Sequence, residues 1–188
     1  MIENAVARRY AQAFFAIARE KNQLDQLEKE LQQVVETINS NSELKILMNH
    51  QLVDPRDKKA MVNEVFSGAL SETTVNFLNF VIDKYRITYL QEIYEAFVVY
   101  ANEARNIADA QVRSAAALSD EDLKALEQRL VKVTGKNIRL SNEVDPSLIG
   151  GVVVRIGDKV IDGSLFRRLG RLKENLMQIQ VKEIGVRN

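Results

Sequence analysis

The chain has 188 residues, 46% hydrophobic and 28% charged, a balance that excludes a disordered polymer and allows one ordinary domain or two small ones. Its formal charge is zero, so the whole molecule has no electrostatic pull toward nucleic acid or anionic membrane. The first 105 residues carry 12 Lys/Arg against 15 Asp/Glu and the remainder 14 against 11, a mild asymmetry that points to two modules with different partners. The absence of cysteine excludes disulfides, thiolate metal sites and a cysteine nucleophile, and His50 is the single imidazole. No run of about 18 apolar residues offers a membrane span. The opening MIENAVARRYAQ lacks a charged-then-apolar signal layout, and its early Glu3 argues against an import presequence, so the chain is expected to stay in the compartment where it is made.

Up to about Asp109 the pattern is helical, with Gly68 and Pro55 as the only glycine and proline. From Glu3 to Glu20, Val6, Tyr10, Ala13, Phe14 and Ile17 recur at helical spacing. Leu24 to Ile38 forms a second helix with Leu27, Leu31, Val34 and Val35 on one stripe and Glu and Gln opposite. Asn39 to Ser42 reads as a break, and Ser42 is expected to cap a short helix through Leu47. Asp54-Pro55 starts the next helix, which runs to about Phe66 and stops at Gly68. Further helices are expected from Ser71 to Asp83 and from Tyr89 to Asp109, the latter with Ile93, Phe97, Tyr100 and Ala104 on one face.

Beyond Asp109 the texture changes. Gln111 to Leu118 reads as a strand, and Ser119 to Asp122 resembles a capping box before a helix with Leu123, Leu126, Leu130 and Val133 on one stripe, ended by Gly135. Ile138, Leu140 and Val144 alternate along a short strand. Val152 to Ile156 and Lys159 to Asp162 flank Gly157-Asp158, a two-residue hairpin loop by composition. Ser164 is placed to cap a last helix through about Ile179. The expected fold is mainly α: a six-helix antiparallel bundle over residues 1–108, then a small α/β module over 109–188 with strands sandwiched between helices.

Two helices carry more apolar surface than one buried stripe requires. Between Tyr10 and Ala18 only Gln12 is polar, and Val75, Phe77, Leu78, Phe80, Val81 and Ile82 cover more than one face of their helix. Either both helices lie centrally in the bundle, or they adjoin and share an exposed groove for a partner helix. In the last helix Leu165, Leu169, Leu172, Leu176 and Ile179 follow a heptad seam, open to intramolecular packing or to docking of a coiled coil, flanked by Arg167, Arg168, Arg171 and Lys173.

Phosphate-loop patterns are absent: Gly151 to Gly157 is one residue too long for G-x-x-x-x-G-K-[ST], and Asp158 separates Gly157 from Lys159. Asp158 and Asp162 have no clustered acidic partner, and His50 reads as a helix-end or surface histidine. No nucleophile–base pair can be named, so no catalytic residue, metal ligand or cofactor is expected. A small RNA-associated module using the basic last helix is the rival binding reading, disfavoured by the neutral charge.

The stretch IRLSNEVDPSLIGGVVVRIGDKVIDGS, residues 138–164, resembles the signature region of the ATP synthase delta subunit family, whose mitochondrial relative is the oligomycin-sensitivity-conferring protein. Gly150, Gly151, Arg155, Gly157, Asp162 and Gly163 belong to that signature, for which a structural role is expected. The opening ARRYAQAFF is similar to the family's start, and the resemblance spans the chain except for the tail beyond Leu176. It implies a non-catalytic stator subunit of a proton- or sodium-driven ATP synthase, one copy per complex, linking the catalytic head to b-type peripheral-stalk subunits. The N-terminal bundle would hold alpha-subunit N-terminal helices in a groove of Val6, Tyr10, Ala13, Phe14 and Ile17 facing Asn76, Asn79, Phe80 and Asp83. Leu165, Arg168, Leu169, Leu172 and Leu176 are the implied stalk-binding candidates. No nucleic acid and no membrane insertion are implied, and the location would be peripheral, on the cytoplasmic face of the cell membrane.

Overall fold

A computed structural model describes residues 5–172 of the chain. It divides into two compact units, Met1–Arg105 and Asn106–Asn188, each with its own apolar core. The first holds six helices: α1 (Ala5–Glu20), α2 (Leu24–Ser40), α3 (Ser42–Asn49), α4 (Pro55–Val65), α5 (Glu72–Asp83) and α6 (Leu90–Ala104), the last preceded by a 3-10 turn at Ile87–Tyr89.

Local chemistry sets the helix ends. Asn41, rather than Ser42, caps α3: its side-chain oxygen accepts from the N–H groups of Glu43 and Leu44 at 3.0 and 3.1 Å, which leaves Ser42 as the first helical residue. Asp54 caps α4 through Arg56 N–H at 2.8 Å, with Pro55 in the first turn where its missing N–H costs nothing. Helix α6 stops at Ala104, short of the expected Asp109. Asn106 adopts φ +56°, a left-handed conformation that asparagine tolerates better than most residues, and it donates its side-chain amide to Gly135 O at 3.0 Å. The residues released from the helix enter the first strand, which is therefore Ile107–Ser114 and not 111–118.

The bundle core centres on Phe14 of α1, stacked on Phe77 of α5 with ring centroids 4.1 Å apart and tilted against Phe97 of α6 at 5.3 Å. Ala7, Ala11 and Ala18 complete the buried stripe of α1, and small side chains there let α1 approach α6, its most extensive partner. Two buried charges serve the frame. Glu30 of α2 receives Ser71 N–H at 3.1 Å, Ser71 Oγ–H at 2.7 Å and Thr74 Oγ1–H at 2.5 Å, so it ties α2 to the first turn of α5. Lys58 of α4 donates to the carbonyls of Met48 at 2.7 Å and His50 at 2.9 Å, closing the C-terminal end of α3.

The second unit is a four-stranded sheet with β1 (Ile107–Ser114), β2 (Asn137–Val144), β3 (Val152–Ile156) and β4 (Lys159–Asp162), in the order β2-β1-β3-β4. Helix α7 (Asp120–Thr134) joins β1 to β2, which run parallel as a helical crossover requires, whereas β3 pairs antiparallel with both β1 and β4. Ser119 caps α7, and Gly135 at φ +69° ends it. Ala110, Val112, Ile138 and Val154 point to one face, where they meet Leu130 and, less deeply, Leu126 and Val131. Val133, expected on that stripe, is exposed, and Val131 takes its place. The opposite face carries exposed Asp109, Gln111, Arg113, Arg139, Glu143 and Arg155. Among the described residues the sheet is thus covered on one side and not sandwiched. A final helix, α8, occupies residues 165–172.

Burial alone would raise the Glu30 carboxyl, but the bonds from Ser71, Thr74 and Gln26 together outweigh it and hold it below the ordinary glutamate range. A carboxyl depressed in the folded state stabilises above its unfolded pKa of about 4.3 and loses that contribution as pH falls through the folded value. Glu30→Ala, which leaves the Ser71 and Thr74 donors unpaired, is expected to cost about 1–3 kcal/mol at pH 7. In urea denaturation the gap between wild type and variant should narrow when the pH is brought to about 3.5.

Candidate protein-binding surfaces

Successive residues of an α-helix lie about 100° apart around its axis. On α1 the buried stripe Ala7, Ala11, Phe14, Ala18 is therefore flanked by a second stripe one residue behind it, Val6, Tyr10, Ala13, Ile17. The structure separates these two stripes. Phe14 is 0% exposed and belongs to the core, so it supports the surface from beneath and cannot line it. Val6 and Tyr10 are half-buried, and Ala13 and Ile17 are exposed.

Helix α5 shows the same division. Thr74, Phe77, Leu78, Val81 and Ile82 face the core, while Asn76, Phe80 and Asp83 face outward and Asn79 is intermediate. Phe80 is 50% exposed, the one large apolar side chain on that outer face, and its ring meets Tyr10 with centroids 5.8 Å apart. The Lys84 ammonium lies 5.7 Å from the Phe80 ring centroid, a cation–π position one helical turn on, where sequence spacing alone could have found it. Asp83 pairs with Lys59 of α4 at 2.6 Å. The Asn79 side-chain oxygen is buried and has no hydrogen-bond partner among the described residues. The two apolar-rich helices thus adjoin: their inner halves are core, and their outer halves meet at a half-exposed aromatic pair.

In the second unit, Leu165, Arg168, Leu169 and Leu172 are all exposed on α8, and Leu176 and Ile179 lie outside the described residues. Among the described residues nothing buries Leu169 and Leu172, so that part of the seam is open there. Leu165 is partly structural. A side chain added at Gly150 would come within 2.6 Å of Leu165 Cδ1, and Leu165 N–H donates to Gly150 O at 2.9 Å. Arg167 pairs with Asp162 at 3.8 Å, so not all the basic flank is free.

The signature residues hold the start of α8 against the sheet. Gly151 sits at φ +85°, where a Cβ would collide with the Gly163 carbonyl, and Gly163 N–H donates to Val152 O at 2.9 Å. Gly157 at φ +56° opens the two-residue turn between β3 and β4, and the Arg155 guanidinium donates to its carbonyl at 3.2 Å. Asp162 accepts from Ser164 N–H at 2.9 Å, and the bonds from Ser164 hold its carboxyl below the ordinary aspartate range. Asp145 is held low likewise by the hydroxyl and N–H of Ser147. Both acids are thereby committed to turns. Among the described residues no group of three or more His, Cys, Asp or Glu is placed to hold a metal ion. His50 ends α3, its ring nitrogen accepting from Leu52 N–H at 3.3 Å.

Because Phe14 is core and Phe80 rim, their truncations should separate in urea denaturation. Phe14→Ala is expected to cost about 3–5 kcal/mol. Phe80→Ala should cost about 1 kcal/mol, half the transfer value of a fully buried phenylalanine.

Comparison with known proteins gives one answer along the whole chain. The family model described as ATP synthase delta (OSCP) subunit matches residues 6–176. The ATP synthase subunit delta of Syntrophomonas wolfei is 44% identical over 181 residues, covering 96% of this chain and 100% of that relative. The subunit delta of Desulforamulus reducens is 45% identical over 177 residues, covering 94% and 98%. A chain in the solved Toxoplasma gondii mitochondrial ATP synthase hexamer shares the fold, with a TM-score of 0.67 at 20% identity over 93% of this chain and 98% of that one. The chain belongs to the ATP synthase delta (OSCP) subunit family.

Proposed function

We propose that this chain is the non-catalytic joint of a proton- or sodium-driven rotary ATP synthase, tying the alpha/beta catalytic head to the b-type peripheral stalk so that the head resists rotor torque. Family membership supports a place in that complex, and the observation that carries the mechanical reading is the outer Tyr10–Phe80 pair. A half-exposed phenylalanine on an otherwise polar face, seated against a half-buried tyrosine, is the kind of aromatic anchor that dominates helix-in-groove contacts. The occupant in this reading is an alpha-subunit N-terminal helix, lying along Val6, Tyr10, Ala13 and Ile17 and facing Asn76, Asn79, Phe80 and Asp83.

The exposed leucines of α8 supply the second contact, with the stalk, and Arg168 and Arg171 favour an acidic helix there. A joint under torque needs affinity and stiffness, both obtained by burying preformed apolar surface without chemistry. Proton flow and nucleotide chemistry then belong to other subunits. No helix among the described residues is long and apolar enough to cross a membrane, which fits peripheral attachment at the cytoplasmic face through the complex. The RNA-associated reading has less support: Arg167 is engaged by Asp162, and the total charge is zero.

A peptide of the alpha-subunit N-terminus should bind the full chain. Loss of one anchor worth about 2–4 kcal/mol, by Tyr10→Ala or Phe80→Ala, should weaken that binding about 30-fold or more. Thermal unfolding should change far less. Equal loss of binding and stability would make both side chains core and put the groove elsewhere. From solubilised membranes the chain should co-purify with alpha, beta and b-type subunits, and its recovery without them would sink the proposal.

A further inference from the structure

A cavity of about 430 Å³ opens between the α3–α4 connection and the segment that joins α5 to α6. Lys58, Arg86, Asn49, Gln51, Thr88 and Tyr89 contribute to its wall, together with an apolar floor that includes Ile82 and Ile87. Two of these residues are cations, and no aspartate or glutamate lines the space. The volume falls in the range of small-molecule sites, which combine apolar walls with a few placed polar groups.

Lys58 is the unusual member. It is 6% exposed, and its ammonium is bonded to two backbone carbonyls and to no carboxylate. Buried charges are ordinarily paired, because taking an ammonium from water without a counter-charge is costly. An ammonium has three donors, and the two carbonyls use two. Arg86 likewise forms no ion pair among the described residues; its guanidinium lies 5.9 Å from the Tyr89 ring centroid. Of the acids near in sequence, Asp54 caps α4 and Asp83 pairs with Lys59, while Asp57 is exposed and does not line the cavity.

We propose that this cavity is an oxyanion site, taking inorganic phosphate or the carboxylate of a small organic acid between the Lys58 ammonium and the Arg86 guanidinium. The anion supplies the counter-charge that the wall lacks, while Asn49, Gln51 and Thr88 offer further donors at the rim. Burial pushes the Lys58 ammonium below the ordinary lysine range, and a bound anion would raise it again. The site is separate from the α1–α5 aromatic pair and does not depend on what that pair binds.

The test is a titration of the full-length chain with inorganic phosphate, and separately with acetate, against chloride at matched ionic strength, followed by backbone amide shifts. Saturable shifts confined to Asn49, Arg86, Thr88 and their neighbours are expected with at least one of the two oxyanions and not with chloride. Saturation by phosphate alone or by acetate alone would identify which source the cavity prefers. Arg86→Gln, at an exposed position, should weaken binding about tenfold, the worth of one charge-assisted bond, with the melting temperature unchanged. Lys58→Met should abolish saturation. Shifts that grow linearly with salt, or that spread over exposed lysines and arginines, would overturn the proposal. So would an Arg86→Gln variant that titrates like wild type. A folded Lys58→Met variant with lower stability and an unchanged titration would reduce Lys58 to a cap for α3.

Discussion

The Phe14–Phe77–Phe97 contact is the constraint on which the first unit depends. One ring from α1 is held between rings from α5 and α6, which fixes how α1 is rotated about its axis. With Phe14 turned inward, the stripe one residue behind it must lie on the flank, and Tyr10 has only one place to go. That place is beside Phe80, whose own position follows from Phe77 pointing to the core three residues earlier. The aromatic pair at the surface is therefore a consequence of the stack beneath it. Tyr10 rests on close-packed core, which limits how far the pair can shift inward.

A similar dependence holds in the second unit, with backbone in place of aromatic rings. Gly150, Gly151 and Gly163 allow the strand entering β3 and the turn leaving β4 to approach closely, and the hydrogen bonds exchanged there hold the start of α8 against the sheet. Leu165, Leu169 and Leu172, which follow on α8, are exposed. In both units buried rings or close backbone approaches set the geometry. The exposed apolar side chains lie one turn or one element away.

Much of this was legible in the residues. The six helices of the bundle, the Asp54-Pro55 start, the helix start at Ser71, the cap at Ser119, the stop at Gly135 and the hairpin at Gly157-Asp158 all follow from local chemistry that each segment carries itself. The misplacements have a shared cause, which is choice among near-equivalent local options. Asn41 and Ser42 are both good caps, and only tertiary placement selects the first. Asn106 ends α6 without glycine or proline, so sequence pattern alone extends the helix and delays the first strand. Phe14 shares helical spacing with Tyr10 and Ile17 yet is core, because residues one apart on a helix differ by about 100° in direction and spacing alone does not separate two adjoining apolar stripes. Glu30 and Lys58 were not recognisable at all, since their partners lie on other helices or at a helix end formed only by folding.

The mechanical account makes the chain necessary for coupling and irrelevant to chemistry, and one measurement separates those roles. Membranes stripped of the chain and rebuilt with wild type or Phe80→Glu can be assayed for ATP hydrolysis by the head and for ATP-driven ion pumping. The account predicts that hydrolysis persists without the chain while pumping is lost, that wild type restores pumping, and that Phe80→Glu restores it poorly. Hydrolysis that falls when the chain is removed, or full recovery of pumping with Phe80→Glu, would contradict it.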